Sequence, residues 1–285
     1  MEWLGTIGRM EPEWRFTADF HTHTFHSDGK STALENAWAA RRAGLSTVGI
    51  ADHGPASIGR GVPRRDWARI LAEVIVAEKQ TGVEVLFGCE ANVVTLDGEL
   101  DVPEDVRKAM DIVLCGLHRA IIPKDLTGLR LVAQNVTPAF TRGQAEKARV
   151  DNTKALVEAV NRNAIDIITH PGLKMDIDTK ELARACAKRG TALEISAGHP
   201  YMTEDFVRIA ARQGAMFTIG SDAHRARDVG NLARGARIAR SAGLDVGRVL
   251  NAMEVEDGAP PKYETDWQMT RHLLKSHAYQ GVGEP

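Results

Sequence analysis

Seven short runs of apolar, β-branched-rich residues each end abruptly in His, Asp or Glu, with Gly, Pro or Ser close by. Residues 18–20 run into His21-Thr22-His23, 48–51 into Asp52-His53-Gly54, and 85–89 into Glu90. Residues 112–117 run into His118, 165–169 into His170-Pro171-Gly172, and Ala192-Leu193 into Glu194 with Ser196 beyond. The last run, 215–220, meets Ser221-Asp222-Ala223-His224. Runs this short, bounded by turn residues, read as buried strands. Between them, helical apolar spacing marks 32–43, 64–80, 147–161, 178–188, 204–212 and 228–242, several closing on Gly. Strand and helix alternate from residue 17 to about 250, which predicts one parallel α/β array rather than two unrelated domains. A barrel of parallel strands gathers all the strand C-termini on one rim, where loops build an active site.

Three stretches break the alternation. Residues 1–16 form an N-terminal extension with two Trp, ahead of a barrel domain spanning 17–255. Within 94–103, Asp97-Gly98 between apolar pieces predicts a hairpin turn. Residues 119–146 show no firm pattern and read as a lid, a binding loop or a disordered segment. A tail, 256–285, follows Gly258-Ala259-Pro260-Pro261, with an amphipathic helix expected over 263–278.

The bulk numbers narrow the partners. With 285 residues, 43% hydrophobic and 26% charged, the chain can bury a core. A net charge of -2 gives no electrostatic reason to expect nucleic acid or an anionic membrane. There is no long apolar span and no signal-peptide order at the N-terminus. The cysteines Cys89, Cys115 and Cys186 are too few for a disulfide framework and read as buried packing, so a cytoplasmic setting is expected.

His21 and His23 lie two apart on a strand, so their rings leave the same face, and Asp222 and His224 repeat the relation. Imidazole nitrogens and carboxylate oxygens are donors that zinc, manganese and iron accept. A lone histidine at a strand end is more often a satisfied polar residue than a ligand. That explanation has to be repeated for His21, His23, His53, His118, His170 and His224, all at the same end of their strands. Their shared position points to a metal cluster.

The motifs carry a resemblance as well. His21-Thr22-His23-Thr24-Phe25-His26-Ser27-Asp28-Gly29, Ile50-Ala51-Asp52-His53-Gly54, Gly88-Cys89-Glu90-Ala91-Asn92, Gly116-Leu117-His118, Thr169-His170-Pro171-Gly172 and Gly220-Ser221-Asp222-Ala223-His224 resemble, in order, the motifs of the PHP family, named for polymerase and histidinol phosphatase. Ala51-Asp52-His53-Gly54-Pro55 and the Asp97-to-Asp101 segment are similar to the small stand-alone phosphatases rather than to polymerase-fused domains. The resemblance implies a distorted (β/α)7 barrel, TIM-like, with a trinuclear site of zinc, manganese or iron on the C-terminal rim of the strands. It implies His21, His23, Asp28, His53, Glu90, His118, His170, Asp222 and His224 as ligands. Glu90 would bridge two ions. His21, His23 and Asp222 would hold one, Asp28, His53 and His224 a second, and His118 and His170 a third. His26 competes with Asp28 for its place.

Asp52 is expected to orient a ligand or carry a proton beside His53, and Glu194 to support a ligand. His199 reads as a loop histidine, and His272 and His277 as solvated tail residues. Arg60, Arg64, Arg65, Arg119, Lys124, Lys174 and Arg225 follow the metal motifs and are candidate contacts for a substrate phosphate. The chemistry this implies is hydrolysis of a small phosphate monoester by metal-activated hydroxide. Histidinol phosphate, nucleoside monophosphates, sugar phosphates and a phosphotyrosine peptide all suit such a site.

Two enzymatic alternatives stand beside it. A phosphodiesterase or nuclease would share the cluster, but the chain has no polymerase segment and no basic stripe. A metal-dependent amidohydrolase also opens with His-x-His, yet usually carries a lysine where strand four here ends in Leu117-His118. A degenerate, non-catalytic module would have lost ligands, and every ligand position is filled.

Overall fold

The computed structural model describes residues 14–254, apart from residues 138 and 200. The expectations for residues 1–13, for the helical tail 256–285 and for His272 and His277 lie outside the described residues. In chain order the elements are β1 (Trp14–Phe16), β2 (Ala18–Thr22), α1 (Ala33–Arg42), β3 (Thr47–Ile50), α2 (Trp67–Thr81), β4 (Glu84–Asn92), α3 (Glu104–Arg107), β5 (Ile112–Gly116) and α4 (Leu126–Val136). They continue as α5 (Arg142–Arg162), β6 (Ile167–Ile168), α6 (Thr179–Arg189), β7 (Ala192–Ser196), α7 (Glu204–Arg212), β8 (Phe217–Gly220), α8 (Ala233–Ser241) and β9 (Ala252–Glu254).

The strands from β2 to β8 form one seven-stranded sheet in sequence order, every neighbouring pair parallel. The sheet curls until β2 meets the end of β8: Thr22 bridges Ala223 in parallel, and His23 N–H donates to Ala223 O at 2.9 Å. This is the nearly closed barrel that the alternation predicts. Each strand buries two faces. Ala18, Phe20, Ala51, Leu86, Ile112, Leu114, Ile167 and Ala192 fill the interior, while residues of the other parity, such as Val85, Phe87, Val113 and Ile195, pack against the helices. β1 and β9, anticipated by no strand pattern, pair antiparallel as a separate ribbon.

Local signals act where they were read. Thr32 and Glu35 form a capping box on α1, and α2 and α6 end on Gly82 and Gly190 with φ of 68° and 69°. The hairpin at Asp97-Gly98 is present, with Val94 N–H donating to Glu99 O at 2.8 Å. Residues 119–146, however, are not a patternless loop: they hold α4 and the start of α5. Leu126, Leu129 and Val136 of α4 are exposed while Leu131 is buried, so apolar residues lie on both faces and the period is erased. α5 in turn buries Asp151, Asn152 and Thr153. Among the described residues, no helix is long and apolar enough to cross a membrane.

Candidate metal centre

β2 would point His21 away from the barrel interior if it ran regularly, because its neighbour Phe20 already faces inward. Its register with β3 shifts between Asp19 and Thr22. An irregularity of this kind re-aims a side chain, and both His21 and His23 then face the interior, over the apolar floor. β4 needs no such device, since Leu86, Gly88 and Glu90 alternate along one face.

Glu90 is the hub and is fully buried. Its Oε2 lies 3.0 Å from His53 Nδ1, 3.6 Å from His21 Nε2 and 3.8 Å from His23 Nε2. Its Oε1 lies 2.9 Å from His170 Nε2 and 3.3 Å from His118 Nε2, and accepts from Thr169 Oγ1 at 2.7 Å. The two oxygens thus face two different sets of rings. Asp222 Oδ1 sits 3.1 Å from His23 Nε2 and 3.5 Å from His21 Nε2. Asp28 places Oδ1 3.2 Å from His224 Nε2 and Oδ2 3.6 Å from His53 Nε2. His26 turns away to Glu73, at 2.8 Å, which leaves Asp28 in the bowl. Every ligand that the family resemblance implied is therefore in one place.

The donor set suits cations. Glu90 Oε2, His53 Nδ1, His23 Nδ1 and Asp28 Oδ1 are buried without a hydrogen-bond partner among the described residues, and buried polar atoms are rarely left so. Ligand atoms of a tetrahedral ion with bonds of about 2.1 Å stand about 3.4 Å apart, and the contacts above span 2.9 to 3.8 Å. Three groups bring their ligand atoms within 4.8 Å of one another: His21, His23 and Asp222; His23, His53 and His224; and His53, Glu90 and His118. The first is the trio implied by the resemblance. The second shares His23 with the first and His53 with the third, so the ligand sets interlock more than the motif order suggests.

Charge is arranged to match. Burial works against ionisation of Glu90, yet His118, His21, His53 and His170 hold its carboxyl well below the usual range. Asp222 is depressed in the same way, by His21 and by hydrogen bonds from His199 and His23. Burial opposes the charge on His53, but Glu90 and Asp28 outweigh it and push the ring to about 9. His118 goes the other way, down to about 4, because burial exceeds the pull of Glu90.

Surrounding groups orient these ligands. His21 Nδ1–H donates to Glu194 Oε1 at 2.8 Å, and Glu194 Oε2 accepts His170 N–H at 2.8 Å. One carboxylate thereby fixes a ring and a strained backbone, for His170 has a φ of 27°. His118 Nδ1–H donates to Asn92 Oδ1 at 2.7 Å, and Asn92 is itself held by Asp101 at 2.6 Å. In each case the other ring nitrogen is left with its lone pair toward the bowl. Asp52 spends both oxygens on Thr24 and Ser27, so it shapes the 24–28 loop and faces no ring of the cluster.

The sequence reading assigned Asn92 no role, although it lies two residues beyond Glu90 on the same strand face. It also undervalued His199, whose Nε2 sits 2.8 Å from Asp222 Oδ2 at the mouth. Gly198 makes that approach possible, since a Cβ there would lie 2.5 Å from Ser221 O.

A cavity of about 300 Å³ opens over the bowl, and of the candidate cations only Arg60, Arg119 and Lys174 line it among the described residues. Arg64 is paired with Asp105, Arg65 lies 3.8 Å from Asp66, Lys124 is paired with Glu99, and Arg225 is exposed outside the cavity. These four follow the motifs in sequence but point elsewhere, because a loop residue's direction depends on the turn that carries it.

The PHP domain pattern matches residues 19–197 of this chain. The chain belongs to the PHP family. A probable phosphatase of Thermoanaerobacter sp. strain X514 is 32% identical over 83% of this chain and 91% of its own length. Another, from Caldanaerobacter subterraneus subsp. tengcongensis, is 32% identical over 86% of this chain and 89% of its own. Among solved structures, the histidinol phosphate phosphatase of Lactococcus lactis, crystallised with Zn, L-histidinol and phosphate, superposes with a TM-score of 0.56 at 16% identity. That match covers 80% of this chain and 94% of the other, and shows a shared fold. As a PHP protein the chain is a hydrolase of the phosphoesterase class, with histidine and carboxylate clusters able to hold metal.

Proposed function

We propose that this PHP protein hydrolyses phosphate monoesters at a centre of three divalent ions, zinc, manganese or iron, held by His21, His23, Asp28, His53, Glu90, His118, His170, Asp222 and His224. The observation that carries the reading is Glu90, whose two oxygens face separate sets of buried ring nitrogens as a bridging ligand must. Ions bound there supply Lewis acidity toward phosphate oxygens and a water made acidic enough to attack near neutral pH.

The residues of the chain do the rest. Glu194, Asn92 and the Asp222 carbonyl pin the far nitrogens of His21, His118 and His224, so that the bowl keeps its shape as ions and substrate enter. Arg60, Arg119 and Lys174 line the cavity over the bowl and would orient the phosphate oxygens of a substrate bound there. Arg60 is also tied to Asp28 at 3.1 Å, which couples phosphate binding to a ligand. In the reaction a P–O ester bond breaks, the oxygen of water joins phosphorus, and the alcohol leaves with a proton. Residues 17–255 are the working unit in this reading. Cys89, Cys115 and Cys186, buried and free, suit the cytoplasm.

The test is metal analysis of the purified protein, followed by phosphate release from p-nitrophenyl phosphate with each metal restored. A protein that stays metal-free and inert when resupplied overturns the reading. Faster cleavage of bis(p-nitrophenyl) phosphate or single-stranded DNA than of the monoester would transfer it to diester chemistry.

A further inference from the structure

We propose that the leaving alcohol of the substrate is a polyol lying in a groove walled by α4 and α5, which makes sugar phosphates the substrate class. The inference rests on the phosphomonoesterase reading and extends it to specificity. The groove has a volume of about 460 Å³, and its lining includes Arg119, Gln134, Asn152, Lys174, Asp176 and Tyr201. Arg119 and Lys174 line the bowl as well, so the two spaces meet at that pair. Arg119 donates to the Lys174 carbonyl, and Lys174 holds a left-handed backbone with φ of 59°. His170 and Asp222 share that rare conformation and are both ligand candidates. Backbone strain of this kind, about 1–3 kcal/mol each, is retained at functional sites.

Gln134 Nε2 is buried with no hydrogen-bond partner among the described residues. A buried orphan of this kind is costly unless a ligand meets it. Its neighbours are already satisfied: Asn135 and Asn152 exchange amide hydrogen bonds of 2.7 and 3.0 Å, and Asn152 also donates to Asp176 O at 3.0 Å. They form a fixed wall. Tyr201 Oη–H donates to Asp176 Oδ1 at 2.7 Å, leaving Oδ2 to accept from a ligand.

The groove thus offers an unmet amide and a carboxylate beside the small residues Ala145 and Ala148. Hydroxyl groups both donate and accept, and so can answer both. A cationic amine would have to pass Arg119 and Lys174, a second anion would meet Asp176, and a bare aromatic ring would leave Gln134 Nε2 and Asp176 Oδ2 unmatched.

The test uses the metal-loaded full-length chain, with kcat/KM measured for glucose 6-phosphate, phosphotyrosine, histidinol phosphate and p-nitrophenyl phosphate. Glucose 6-phosphate should lead the two biological competitors by about tenfold or more, as expected when polar site groups are matched. Gln134→Leu and Asp176→Asn should each lower the ratio of glucose 6-phosphate to p-nitrophenyl phosphate turnover by about tenfold. Leu129→Ser, on the exposed face of α4, is the control. A preference for phosphotyrosine or histidinol phosphate, or a ratio unmoved by both variants, overturns the proposal. If no phosphomonoester is turned over, the phosphatase reading has failed instead. Calorimetric binding of glucose 6-phosphate then decides the groove separately: weakening of about tenfold by Gln134→Leu supports it, and no binding or no change refutes it.

Discussion

The metal bowl and the groove beside it share Arg119 and Lys174 but are built by opposite means. The bowl is set mainly by strand ends: Glu90, His118 and Asp222 stand on or just past parallel strands whose ladder fixes their spacing. The groove stands between α4, an extra helix after β5, and α5, the crossover helix to β6, whose Ala155, Leu156, Ala159 and Val160 pack in the core. His21, His23, His53, Glu90 and His170 of the bowl are buried and its other ligand candidates half-buried, whereas α4 leaves Leu126, Leu129 and Val136 in solvent. A parallel ladder can hold reacting groups to within tenths of an ångström, and an inserted helix can be remodelled without disturbing them. In the proposed reading, chemistry and selectivity are thereby separated in one fold.

The largest effect should come from the hub. Glu90→Gln keeps the shape but removes the charge that Glu90 presents to His21, His23, His53, His118 and His170. It should lower kcat/KM by about a thousandfold and reduce bound metal. Metal analysis with p-nitrophenyl phosphate kinetics checks this, and retention of both would place the chemistry outside the bowl.

Next comes pH. His53 is held up to about 9, so in the metal-free protein the ring carries its proton below that pH and must release it for an ion to enter. Metal affinity should therefore rise from pH 6 to 9, by up to about tenfold per unit for each proton displaced. Calorimetric titrations in buffers of different ionisation enthalpy would count the protons, and a flat profile would show that the ring is not displaced from its proton.

Asn92→Ala frees the His118 ring and should weaken metal binding by about 10–100-fold, with a smaller cost to the fold. If stability falls and metal affinity does not, Asn92 serves packing alone. The smallest effect belongs to the far side of the groove wall: Leu129→Ser should shift stability by no more than about 0.5 kcal/mol in a thermal melt. A large loss there would mean that α4 is more deeply integrated into the barrel than its exposure implies.

Read alone, the chain determined the alternation of strand and helix, the C-terminal placement of the histidines, the glycine ends of α2 and α6 and the Asp97-Gly98 turn. Each is recorded in residues close together in sequence, where burial period, capping and φ preference act locally. Tertiary structure decided the rest. It turned His26 toward Glu73 and kept Asp28 in the bowl, and it brought His199 to Asp222 over Gly198. It left Arg64, Arg65 and Arg225 outside the mouth, and it stood α4 where no period announced a helix. The shift in β2 that brings His21 inward belongs here too, since only pairing with β3 reveals it. The physical reason is that ligand spacing of a few ångströms depends on closing β2 against β8, residues some two hundred positions apart, and no local pattern carries that distance.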